Sequence, residues 1–305
     1  LWITFLKSLA LVPFQIHALR KIIKMSKPDL IHFLWNYHIP VLLQSFLNKY
    51  PTAYTVHDPK LHLGERSKIK EWIQKQLIKM SNIYFIHGQS NVDTFIDLYE
   101  VDKTKIYKIT HGGMFSKKTN HASKQENIIL FFGRIREYKG IHILIDAFKK
   151  IQNKIPDYSL IICGEGNIKN IKNKISEKDK IVIVNQFLGD EEAEKYFLKS
   201  KFIVLPYLEA TQSGVAAMAF SFNRTCIASE VGAIPELIQN NYNGLLVQPN
   251  NIKNLSEAIL KLTNTNLRKK FEKNISNNTI KSDNFTWKKT AITVKNGYNK
   301  LLKNS

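Results

Sequence analysis

A chain of 305 residues, 44% hydrophobic and 23% charged, is long enough for two domains with their own cores and is neither disordered nor fibrous in composition. Its 45 Lys and Arg against 25 Asp and Glu leave a formal charge of +20, which favours anionic partners: first a membrane face, then a phosphorylated ligand. Nucleic acid ranks last, because no recognition motif or aromatic–basic interleaving is present, and the absence of CxxC and HExxH gives no sign of structural zinc.

In chain order, the opening LWITFLKSLALVPF is interrupted by Lys7 and Pro13 and is too short for a membrane span. It also lacks the basic start and cleavage site of a signal peptide. An amphipathic helix packed on the domain is expected, with a position at a membrane interface as the alternative. Short buried strands are predicted at Leu30–Trp35, Ala53–His57, Ile83–His87 and Ile106–Ile109, separated by helices at Pro40–Lys49, Glu65–Met80 and Ser90–Tyr99. The polar stretch Lys117–Asn127 reads as a linker.

A second alternation follows. Strands are predicted at 128–132, Ser159–Cys163, Ile181–Val184, Phe202–Leu205, Thr225–Ala228 and Gly244–Val247. Helices are predicted at 140–151, 168–176, Glu191–Ser200, Gly214–Phe220 and Ile234–Gln239, with more to the end and Trp287–Lys303 last. The fold class is therefore α/β, with two Rossmann-like parallel-sheet domains at 1–117 and 118–283 and a final helix, 284–305, joining the first. The cleft between two such sheets is the default ligand site. Cys163 and Cys226 lie in apolar runs and are expected as buried, reduced thiols, which suits the cytoplasm.

Four constellations at strand ends carry chemistry. After the strand at 128–132, Gly133-Arg134 and Lys139-Gly140 bracket a turn that leads into a helix. Fixed cations beside a helix start make an anion site, the alternative being a solvated basic turn. CGEGN places Gly164 and Gly166 either in a tight turn or where backbone approaches a ligand. Thr211, Gln212, Ser213 and Gly214 open a helix that either holds a phosphate or is simply capped by Ser213. In YTVHDPKLHLGE, His57 and Asp58 directly follow a strand.

Taken in order and spacing, GRIREYKG, GEG, ATQSGV, ASEVGAIPE and NGLLV resemble retaining glycosyltransferase family 4, of the GT-B fold. The resemblance covers the second half and much of the first. It implies that Arg134 and Lys139 hold the donor diphosphate near Gly133, Gly164 and Gly166, and that His57 faces the donor sugar near its anomeric carbon. Asp58 would orient that imidazole or cap the turn, and His62 would stand with it on the acceptor side. His111-Gly112-Gly113 matches the family's turn before the second domain.

Two departures are evident. Family members usually carry two glutamates separated by seven residues, where this chain aligns Ala210 and Met218. Glu209 stands one residue early, and the ATQSGV-type branch offers Thr211, Gln212, Ser213 and the Gly214–Val215 amides instead. The family's opening strand and Gly-rich loop also have no counterpart, so a truncated first domain with an unpaired edge is expected.

The implied activity is sugar transfer from a UDP- or GDP-linked donor to an acceptor hydroxyl, of the hexosyltransferase type, with retention and no metal or cofactor. The acceptor would be a glycan or lipid-linked, in surface polysaccharide or lipopolysaccharide assembly at the inner face of an anionic membrane. A catalytically degenerate GT-B protein that binds the donor or supports a partner is the alternative, with a basic membrane scaffold as a third.

Overall fold

The computed structural model describes residues 2–62, 67–110, 125–281 and 287–303. Its first half runs α1 (Trp2–Ser26), β1 (Ile31–Phe33), α2 (His38–Leu42), α3 (Gln44–Leu47), β2 (Thr52–Val56), α4 (Lys68–Met80), β3 (Ile83–His87), α5 (Gln89–Tyr99) and β4 (Ile106–Ile109). The four strands form one parallel sheet in the order β1-β2-β3-β4. Every residue of β2 and β3 is buried, because helices cover both faces; that is why their sequences are unbroken apolar runs rather than alternating ones.

The second half continues β5 (Ile128–Phe132), α6 (Ile141–Ile151), β6 (Ser159–Cys163), α7 (Lys169–Lys172), β7 (Ile181–Val184), α8 (Asp190–Lys199) and β8 (Phe202–Leu205). Then come α9 (Gly214–Ser221), β9 (Cys226–Ser229), α10 (Ile234–Leu237), β10 (Gly244–Val247), α11 (Ile252–Thr263), α12 (Thr265–Lys281) and α13 (Trp287–Lys303). The six strands make a second parallel sheet, ordered β10-β9-β8-β5-β6-β7. Helix α6 buries Ile141, Leu144, Ile145, Phe148 and Ile151 against it, at the spacing that fits one helical face. Cys163 and Cys226 are free and buried in this sheet.

Some predicted elements are redrawn. The helix expected over Pro40–Lys49 is two short ones, because Leu43 leaves helical geometry to bury its side chain at 1% exposure. The helix expected over 168–176 is only Lys169–Lys172, with Ile171 its one buried residue, too little burial to extend it. Helix α1 packs Val12, Ile16, Leu19 and Ile23 on the first core and leaves Leu11, Phe14, Ile22 and Met25 exposed. Among the described residues, no helix is long and apolar enough to cross a membrane. His111–Gly113 and most of the linker at Lys117–Asn127 lie outside the described residues.

Helix α13 packs on the first sheet. Gly297 has no Cβ because one would lie 2.8 Å from the Phe85 ring, and Val294, Tyr298 and Leu301 join the same cluster. His32 of β1 bonds Tyr298 Oη at 2.5 Å through Nδ1 and Thr55 Oγ1 at 2.8 Å through Nε2. Burial, with a smaller contribution from nearby His57, lowers the His32 pKa from 6.5 to about 4.

The unfolded chain therefore takes up a proton at this position below pH 6.5, and the folded chain does not until about pH 4. Stability is full above that window and falls as pH drops through it, by about 3 kcal/mol for this one group. Unfolding midpoints from pH 7 to 4 are expected to fall less steeply in His32→Asn than in the native chain. Equal slopes would contradict a buried neutral imidazole.

Candidate active site

In the second sheet the chain runs outward from β5 through β6 to β7, then returns to the other flank of β5 as β8. The segments leaving the carboxyl ends of β5 and β8 therefore diverge, and the crevice between them is where an open parallel sheet binds ligand. Gly133 and Arg134 leave β5 on one side; Pro206–Ser213 leave β8 on the other.

Backbone bonds fix these loops to each other. Gly133 N–H donates to Cys163 O at 3.0 Å and Ile135 N–H to Glu165 O at 2.9 Å, tying the arginine turn to the GEG loop. Leu208 N–H donates to Tyr138 O at 2.7 Å, and Ala233 N–H to Thr211 O at 3.0 Å. Close backbone packing accounts for both glycines of the GEG loop. A Cβ on Gly164 would stand 2.0 Å from Gly133 O, and one on Gly166 2.2 Å from Ile135 O.

Arg134 is exposed at the crevice and Lys139 half-buried. The Lys139 ammonium lies 3.6 Å from the ring centroid of Tyr207, a fully buried residue, in a contact of about 0.5–2 kcal/mol. Tyr207 Oη in turn sits 3.5 Å from Ser213 Oγ, the N-cap of α9, which accepts from Ala216 N–H at 3.2 Å. Val215, in the first turn of α9, lies 3.7 Å from where a Gly133 Cβ would stand. The helix start and the cationic turn thus face each other, and the helix dipole adds to the two full charges.

Ala210 and Met218 are partly buried against the apolar core and supply no carboxylate. Gln212 Oε1 is buried without a hydrogen-bond partner. It faces a cavity of about 280 Å³ lined also by His87, Thr110, Ser213 and Leu237. Glu209 lines a second hollow, about 380 Å³, with Lys60, His62, Ser90 and Asn91. Among the described residues, no three His, Cys, Asp or Glu gather so as to hold a metal ion.

The loops of the first sheet close the crevice from the other side. His57 is stacked between Trp35, at 4.3 Å and 18°, and His87, at 5.8 Å and 22°. Asp58 turns its carboxylate to Thr211 Oγ1 at 2.5 Å and His62 Nε2 at 3.2 Å. Burial pushes the Asp58 pKa up, but those two hydrogen bonds outweigh it and hold the carboxyl below the usual range. His62 stacks on Tyr138, beside Lys139, at 4.4 Å and 13°. Asn91 Nδ2 donates to Thr211 O at 2.7 Å, and Glu236 Oε1 accepts from Gln89 N–H at 2.5 Å at the start of α5.

The structure thus gathers His57, Asp58, His62, Arg134, Lys139 and the 209–215 segment around one crevice. Thr211 stands apart in one respect: its hydroxyl donates its proton to Asp58 across the crevice. Trp35, Asn91, Tyr207 and Glu236 had not been singled out. Of these, only Tyr207 had a sequence signal, an aromatic beside the proline that follows a strand.

Known proteins similar to this chain give its family and its fold. The model of the family described as "Glycosyl transferases group 1" matches residues 115–281. An uncharacterized glycosyltransferase of Methanocaldococcus jannaschii is 29% identical over 241 residues, 75% of this chain and 65% of that protein, so the match spans just under two thirds of the relative. O-antigen chain mannosyltransferase C of Escherichia coli is 25% identical over 293 residues, 87% of this chain and 76% of its own length. The structure of Anabaena HepE in complex with UDP-glucose superposes with a TM-score of 0.77 at 18% identity, covering 95% of this chain and 81% of that one. Likeness at that identity shows a shared fold, the GT-B arrangement of two facing parallel sheets.

Proposed function

The chain belongs to the group 1 glycosyl transferases (glycosyltransferase family 4), and from that premise we propose that it moves a sugar from a nucleotide-sugar donor to an acceptor hydroxyl with retention at the anomeric carbon. The observation that carries this reading is the facing pair of Arg134 with Lys139 and the start of α9 across the switch-point crevice. Negative charge grows on the diphosphate as the glycosidic bond breaks, and fixed cations and amide donors there stabilise the transition state more than the ground state. That arrangement supplies the neutralisation for which other enzymes use a divalent cation, so no metal is assigned.

His57, held flat between Trp35 and His87, serves the reacting sugar from the acceptor side. Gln212 Oε1, an acceptor without a partner, fits a sugar hydroxyl in place of the family's first glutamate. The resemblance in sequence implies a hexose donor linked to UDP or GDP and a glycan or lipid-linked acceptor, and two relatives support the hexose, the UDP link and the glycan. One is described as an O-antigen mannosyltransferase, and the other was crystallised with UDP-glucose. The apolar side chains at Ala210 and Met218 favour one alternative, a donor-binding protein without turnover.

Titration with UDP, GDP and their common sugars, read as a shift in unfolding midpoint, tests the site. At 100 times Kd one nucleotide is expected to add about 2.7 kcal/mol of stability. NMR of the anomeric proton in the product then reads retention. A nucleotide shift without turnover from any sugar form selects the binding-protein reading, and no shift with any nucleotide removes both.

A further inference from the structure

The two sheets meet at several points among the described residues, and one of these reaches the residue next to His57. Asp58 follows His57 directly in the chain, and Thr211 directly precedes Gln212 and the start of α9. The 2.5 Å bond between their side chains therefore spans from the histidine loop to the loop that faces the donor turn. We propose that Asp58 is a positioning residue: through Thr211 it holds His57 in register with the donor loop, and through His62 with the turn that carries Lys139. This rests on the transferase reading above and adds the means by which the two halves of the site are aligned.

Both loops are stiff where the bond joins them. On the first sheet, Gln74 Nε2 donates to Asp58 O at 2.8 Å and to Pro59 O at 3.2 Å, while Tyr99 Oη donates to Pro59 O at 3.0 Å. On the second, Thr211 O accepts from Ala233 N–H at 3.0 Å and from Asn91 Nδ2 at 2.7 Å. A bond between two braced loops fixes their separation, whereas one between floppy loops would not. The second arm is apolar: His62, held by Asp58, lies flat on Tyr138, whose carbonyl accepts from Leu208 N–H.

Asp58 remains ionised in this setting, so its bond to Thr211 is charge-assisted and short. Two further ties between the sheets have a different reach. Glu236 caps α5, and Asn91 joins α5 to Thr211, so they hold the sheets together without holding the histidine loop. Losing the Asp58–Thr211 bond should thus leave the fold and the phosphate cations in place and loosen the register of the histidine loop against the donor loop.

Thr211→Val removes the hydroxyl at nearly constant shape, Thr211→Ser keeps it, and Asp58→Asn removes the charge. In Thr211→Val, kcat is expected to fall about 10- to 100-fold with the donor KM unchanged, since small misplacement of a reacting group costs rates of that order. Thr211→Ser should recover most of the loss, and Asp58→Asn should resemble the valine variant. Amide hydrogen exchange provides a readout that needs no donor. Residues 57–62 should exchange faster in Thr211→Val, while 83–99 and 128–140 stay as in the native chain.

A donor KM that rises in step with the fall in kcat, a serine variant as slow as the valine one, or unchanged exchange over 57–62 overturns the proposal. If the native chain turns over no donor, the transferase reading fails, and the exchange result by itself upholds or overturns the Asp58 clasp.

Discussion

Replacing Arg134 and Lys139 together by alanine is expected to lower turnover about 1000-fold and to abolish the nucleotide-induced shift in unfolding midpoint. Each charge-assisted hydrogen bond to a phosphate contributes about 1.5–3 kcal/mol, and losing one donor aimed at developing charge costs about 100- to 1000-fold in kcat. Two such losses in one crevice do not simply add, so about 4 kcal/mol, or three orders of magnitude, is the expected sum. The fold should survive. Arg134 is exposed, and Lys139 contributes cation–π contacts to Tyr138 and Tyr207, both buried residues. Arg136→Ala provides the control, since that side chain is exposed in the same turn and carries the same charge. Loss confined to the double variant locates the donor at the switch point. Equal loss in Arg136→Ala would mean that the turn acts only through bulk charge, and a full nucleotide shift in the double variant would place the donor elsewhere.

Those two cations were legible in the sequence because glycine and lysine punctuate a strand–helix junction, a signal contained within ten residues. The sheet strands were legible for a similar reason. Runs such as Ile128–Phe132 and Phe202–Leu205 are buried on both faces, so their pattern is continuous and local. What stayed hidden is long-range. The Asn91–Thr211, Gln89–Glu236 and Asp58–Thr211 bonds join residues 120, 147 and 153 positions apart, and no periodicity registers such a pairing. Trp35 is similar: the sequence places it at the end of the strand predicted over 30–35, whereas the strand ends at Phe33 and the exposed indole stacks on His57. The break at Leu43 was hidden because it depends on which core that side chain enters, not on helix propensity. Local chemistry predicts the elements and the charges. The alignment of the two halves belongs to the tertiary fold.

Gly164→Ala tests that division where a local motif turns out to have a tertiary cause. The substitution is expected to destabilise the chain by about 3–5 kcal/mol, a fall in midpoint on the order of 10 °C, and to weaken nucleotide binding in the molecules that fold. Two costs combine. At φ +146° an L side chain is strained by about 1–3 kcal/mol. The new Cβ would also stand 2.0 Å from Gly133 O and 2.7 Å from Gly133 C, both backbone atoms with no rotamer to yield. Relief requires the β5 and β6 loops to part, at the expense of the Gly133–Cys163 and Ile135–Glu165 bonds, each about 1 kcal/mol. Arg134 follows Gly133 directly, so the same movement carries its guanidinium away from α9. Gly189→Ala is the matched comparison: at φ −70° its Cβ would meet nothing within 4 Å, and a change within about 0.5 kcal/mol is expected. If both variants unfold at the native midpoint, the GEG glycines are not there for backbone contact. A stable Gly164→Ala that has lost nucleotide would instead point to the ligand approach that the motif suggested.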